Sequence, residues 1–210
     1  MIGAAGLIIT LLLHPSGGDL FVPGQWEAAA HKLIAAHCLA LASLPFLFLG
    51  ALGLSRRLGA ADQLGAAGVV LYGFSLAAVM TAVVFDGLVT PELARHILDA
   101  TEPASQIWKI VVHYNDLVDE AFMSVFMAAA SFAIALWSVA MVRSREFSKP
   151  ISACGLVLGG TATLALLSGL MQRHEHVFLL AIFGQALWLL AVGGALVQSE
   201  TRISNAGVSK

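Results

Sequence analysis

The stretch LGAAGVVLYGFSLAAVMTAVVFDGLV, residues 64–89, decides the fold. Its single charged side chain is Asp86. About 20 apolar residues at 1.5 Å each cross the roughly 30 Å hydrocarbon layer of a membrane, so this run is long enough to span one. Inside lipid every backbone N–H and C=O has to be bonded within the segment, which makes a run this long helical. Segments 33–54, 121–142, 151–171 and 177–197 have the same character, and a shorter apolar segment covers 2–13. The expected fold is all-α: a polytopic membrane bundle of six transmembrane helices in one integral membrane domain, 1–210. Pro45 falls inside the second span, where a kink is expected.

Composition agrees. Of 210 residues 59% are apolar and 11% charged, with mean hydropathy +0.86, whereas soluble domains carry roughly 25% charged residues. This excludes a disordered chain and a conventional soluble enzyme. A net charge of −2 gives no basic excess for a nucleic-acid partner. The two cysteines, Cys38 and Cys154, form no disulfide framework and no CxxC. Residues 1–13 lack a basic leader region and an A-x-A pattern, and read as a short first helix rather than a cleaved signal.

Lys and Arg set the expected orientation. Arg56, Arg57, Arg143, Arg145, Lys149, Arg202 and Lys210 fall on the side that an even number of spans gives to both termini, against three acidic residues there, Asp62, Glu146 and Glu200. That side is expected to be cytoplasmic, in a cytoplasmic (inner) membrane. Trp26 and Trp108 suit an aromatic belt at the outer interface.

The polar chemistry is one-sided. All seven histidines (His14, His31, His37, His96, His113, His174 and His176) fall on the outer half or in outer loops, as do ten of thirteen carboxylates. Segments 25–54 and 106–142 each read as one helix, so both are expected to extend beyond the outer membrane surface. On the second, His113, Asp116 and Glu120 at i, i+3 and i+7 share a face, from which Asp119 points away. On the first, Glu27 and His31 sit at i, i+4. Ionisable groups at membrane depth are costly and are functional candidates by default, which singles out His37, Asp86 and His14. His14 precedes the helix-breaking Pro15, Gly17 and Gly18 below the expected outer surface. His174-Glu175-His176 forms the turn between the last two spans. His96 and Asp99 lie on a short amphipathic segment, 91–99.

Imidazole with carboxylate suits Zn, Fe, Mn or Cu, and helical bundles supply such ligands from facing helices. The expected metal ligands are His31, His113, Asp116, Glu120, Asp86, His174 and His176, with Glu120 and Asp116 as candidate catalytic carboxylates. A plain solvated outer face accounts for the same stripe. The functions this supports are a metal-dependent enzyme acting on a lipid or quinol at the extracytoplasmic face; a haem-b or pigment-binding electron-transfer subunit using His14 and His37; or a non-catalytic subunit of a membrane complex. A transporter fits less well, because the inner halves of the spans offer only Ser, Thr, Tyr and Gln. Gly155, Gly159, Gly160 and Gly169 are expected to allow close helix contact, and Tyr72, Ser75, Thr81 and Gln185 to bond between helices.

Overall fold

The computed structural model describes residues 1–14, 17–22, 24–59, 63–144, 147–170 and 175–208, with the side chains of 17, 18, 175 and 199–208 left aside. The described residues are helical with short connections and no strand. Helices α1 (Ile2–Leu13), α2 (Trp26–Leu58), α3 (Gln63–Val84), α4 (Thr90–Asp99), α5 (Glu102–Ser144), α6 (Lys149–Leu167) and α7 (Glu175–Val208) follow in order. A 3₁₀ turn, Gly17–Phe21, precedes α2, and a π-helical turn, Phe85–Val89, joins α3 to α4. Five helical stretches are long and apolar enough to cross a membrane, and α1 is a shorter apolar helix.

α2 shows how the sequence positions its neighbours. Leu33, His37, Ala40, Leu44, Leu47, Ala51, Leu54 and Leu58 are all buried and repeat every three or four residues, the period of a helix stripe that packs on its neighbours. His37 therefore occupies a place that the pattern otherwise gives to leucine or alanine. The helix runs on through Pro45 without interruption.

α1 packs on α2 through small residues. A Cβ on Gly3 would meet the backbone at Leu47 and Ser43, and one on Gly6 would overlap the Ser43 hydroxyl. Thr10 Oγ1 donates to Gly6 O at 3.0 Å and faces Ala36 O at 3.4 Å. At 100° per residue Gly3, Gly6 and Thr10 share a face, and His14, which caps the C-terminus of α1, continues it. The contact that seats α1 on α2 thus carries His14 to the level of His37.

The opposite end of the bundle is held by large aromatic side chains. Trp137 is fully buried against Gly68, donates Nε1–H to Gly65 O at 3.2 Å and meets the Tyr72 ring edge-on at 5.3 Å. Gly155 and Gly159 bring α6 against Ser138, Trp188 and the Ser131 carbonyl, as the small-residue pattern suggests; Gly160 faces open space, and Gly169, at φ 70°, lies past the end of α6 in a turn. α6 ends at Leu167, four residues before the apolar run does. Gln185 bonds across to Ser131 at 3.1 Å. Ser75 and Thr81 instead bond back to carbonyls of their own helix, Tyr72 O and Ala77 O, the alternative that hydroxyls find within a helix. Cys38 and Cys154 are free and exposed.

Candidate metal centre

Three chain segments meet at one point. His14 from the end of α1, His37 from the buried stripe of α2 and Asp86 from the π-turn place their ligand atoms within 4.8 Å of one another. His37 Nε2 lies 2.9 Å from Asp86 Oδ2, and His14 Nε2 lies 3.2 Å from the same oxygen. The imidazoles pack edge-on with centroids 5.0 Å apart.

The π-turn explains how Asp86 reaches inward. Pro91 has no N–H, and its ring would crowd the carbonyl four residues back in a regular helix. Widening the turn by one residue relieves that crowding. Thr90 N–H then bonds to Phe85 O, and Thr90 Oγ1 donates to the same carbonyl at 3.1 Å. Buried Asn115 of α5 completes the arrangement, with Nδ2 at 3.0 Å from Thr90 Oγ1. Gly87 sets the approach to α2, because a Cβ there would overlap the His37 side chain. Only a glycine lets the π-turn come close enough for Asp86 to meet both rings.

Hydrogen-bond accounting is decisive for His37. Its Nδ1 lies 2.8 Å from Leu33 O. A carbonyl only accepts, so Nδ1 carries the hydrogen. In the neutral ring Nε2 is then a lone pair, and it faces a carboxylate oxygen that is also an acceptor. Two acceptors 2.9 Å apart need a cation, either a proton or a metal ion. Metal-bound histidines typically donate their second N–H to a carbonyl or carboxylate in this manner. Tetrahedral ligands about 2.1 Å from an ion are about 3.4 Å apart; His14 at 3.2 Å is near that spacing, whereas His37 at 2.9 Å is at hydrogen-bond length and would move outward to admit an ion. His37 is buried, whereas the His14 and Asp86 side chains are 38% and 37% exposed, so one side of the group is open.

The remaining candidates lie elsewhere. His113, Asp116 and Glu120 are exposed on one face of α5. Asp116 feels the charge of Asp86 without joining the group. His31 is exposed and lines an outer groove of about 380 Å³ with Trp26, Glu27, Ile34, Leu88 and Glu92. His176 is exposed at the start of α7, and His174 lies outside the described residues. His96 stacks on Trp108 at 4.5 Å, and Glu92 pairs with Arg95. Among the described residues, only His14, His37 and Asp86 converge closely enough to share an ion.

Asp119, set aside by its helical phase, is the α5 carboxylate that turns inward. It is half-buried and within electrostatic reach of Asp86, His37 and His14. Buried Asn115, four residues earlier, marks the same face. No family model, no curated protein and no solved structure matches the chain.

Proposed function

We propose that this is a multi-pass membrane protein whose His14, His37 and Asp86 hold one divalent transition metal at the extracytoplasmic edge of the bundle. The observation that carries the proposal is the convergence of His14, His37 and Asp86, whose ligand atoms all lie within 4.8 Å of one another. Two imidazoles and one carboxylate are a ligand set for Zn, Fe or Mn. Three protein ligands with an open side leave a coordination position for water or substrate, as in catalytic rather than structural sites. Asp119 and Asp116 supply nearby carboxylates for moving a proton. A hydrolase or oxidase acting on a lipid or quinol is the reading that a membrane-edge site of this kind supports best.

In this reading the chain has six spans in a cytoplasmic membrane with both termini inside, following its basic residues, and α2 and α5 stand proud of the outer surface. At 1.5 Å per residue α5 alone is about 64 Å long, more than twice the hydrocarbon thickness. The haem alternative has less in its favour: two axial imidazoles face each other across the porphyrin plane, whereas both Nε2 atoms here turn to one carboxylate oxygen.

The test is elemental analysis of the purified protein after equilibration with Zn²⁺, Mn²⁺ or Fe²⁺ and desalting. One ion per chain is expected. A chain that retains none of these ions overturns the proposal.

A further inference from the structure

Helices α1, α2, α3, α5 and α7 together line a cavity of about 30 Å³ inside the bundle. Leu7, Ala40, Val83 and Phe126 give it apolar walls. Ala40 is three residues past His37 and Val83 three before Asp86, so this end lies one helical turn from the His14–His37–Asp86 group. Two polar residues line the cavity as well, Tyr72 of α3 and Gln185 of α7. They are only 3% and 4% exposed. α3 and α7 are not packed on each other, so the two side chains reach the cavity from helices that do not otherwise meet.

Protein atoms leave both side chains short of partners. The Tyr72 ring packs on Trp137, but its hydroxyl bonds to no described residue. Gln185 gives an N–H to Ser131 Oγ, and no described residue donates to its carbonyl oxygen. Among the described residues, Ser138 Oγ is the one unpartnered side-chain oxygen that neighbouring atoms close off completely. The Tyr72 and Gln185 oxygens therefore keep some open surface, and the cavity that both residues line supplies it. Buried hydroxyls and amides in folded proteins are bonded, to protein or to ordered water, because an unpaired one is costly in apolar surroundings. The phenol brings a donor and the amide oxygen an acceptor.

We infer that this cavity is a binding site for water, which accepts a hydrogen bond from the Tyr72 hydroxyl, donates one to Gln185 Oε1 and so ties α3 to α7. Size selects the occupant. About 30 Å³ exceeds the roughly 10–15 Å³ that one water needs, and is far below the roughly 300–1,000 Å³ of a pocket for an organic ligand. A lipid tail or a flat cofactor does not fit. A purely apolar void of this size stays dry, whereas two convergent polar groups give water the partners that hold it. The apolar walls at Leu7, Ala40 and Val83 confine the water to the Tyr72–Gln185 end. It is therefore not continuous with the His14–His37–Asp86 group, and the inference is independent of the metal.

The sign of one substitution tests it. Tyr72→Phe removes only the hydroxyl. If water holds that hydroxyl, the melting temperature of the detergent-solubilised full chain is expected to fall by about 2–4 °C, the shift that loss of one hydrogen bond gives in a chain of this size. If the cavity is dry, the hydroxyl is an unpaired burden, and its removal leaves the melting temperature unchanged or raises it. The same substitution in a Gln185→Leu background, where the water has lost its second partner, is expected to lower the melting temperature by less than about half as much. An experimental structure of the unsubstituted chain that resolves ordered water is expected to show density about 2.7–3.0 Å from Tyr72 Oη. An empty cavity in that structure, a direct Tyr72–Gln185 bond that closes it, a Tyr72→Phe chain at least as stable as its parent, or an equal loss in both backgrounds overturns the inference.

Discussion

The His14–His37–Asp86 group and the His113–Asp116–Glu120 stripe are made of the same residue types, yet of the two only the first brings its ligand atoms close enough to share an ion. The stripe comes from a single helix. Its side chains share a face by the helical period, and because no neighbour covers that face they are exposed. The group comes from three elements, and each is brought in by a packing requirement: the glycine face of α1, the buried heptad of α2 and the π-turn before Pro91. Periodicity within one helix places residues on a face. Convergence between helices decides whether they meet.

Substitutions that separate the two regions test this contrast. The largest effect is expected from Asp86→Asn, which removes the anionic oxygen facing both imidazoles; metal affinity should fall by more than about 100-fold, read by competition with a chelating dye. Gly87→Val follows. Its side chain has to displace the His37 ring, so affinity should drop about 10- to 100-fold, as for loss of a supporting contact, with Asp86 itself untouched. An unchanged affinity in Gly87→Val would mean that the close approach of the π-turn to α2 is not what builds the site.

Acidity should act in one direction. Protons compete with a metal for imidazole nitrogens and carboxylate oxygens, so affinity is expected to fall as the solution is acidified. Titration of metal binding against pH checks the sign; tighter binding in acid would contradict it.

A smaller effect is expected from Thr90→Val. It leaves Asn115 Nδ2 with only the longer 3.5 Å contact to Phe85 O in place of its 3.0 Å partner, at a cost of about 1 kcal/mol of stability, seen as a lower melting temperature. The smallest belongs to the stripe: His113→Ala and Glu120→Ala should change metal affinity by no more than about twofold, the usual range for exposed positions. A large loss in either would move the site to α5.

Part of this was legible in the sequence. The lone charge in residues 64–89 singled out Asp86, and membrane depth singled out His37 and His14 as candidates. Their union was not legible. Residues 14, 37 and 86 are far apart in the chain, and the two histidines read as a haem pair while Asp86 groups with His31, His113, Asp116, Glu120, His174 and His176 as metal ligands. The π-turn was hidden too, because Phe85–Val89 reads as ordinary apolar helix and only Pro91, beyond it, hints at a widened turn. Asp119 was misplaced by taking His113 as the reference for the face. Counting from Asn115, a polar residue that has to be satisfied when buried, would have pointed inward.

The most direct measurement is X-ray absorption at the edge of the bound metal. The account predicts a first shell of two imidazoles and one carboxylate at about 2.0–2.2 Å, with one imidazole lost in His14→Ala and the shell unchanged in His113→Ala. A shell containing sulfur, or one that loses an imidazole in His113→Ala and none in His14→Ala, would contradict it.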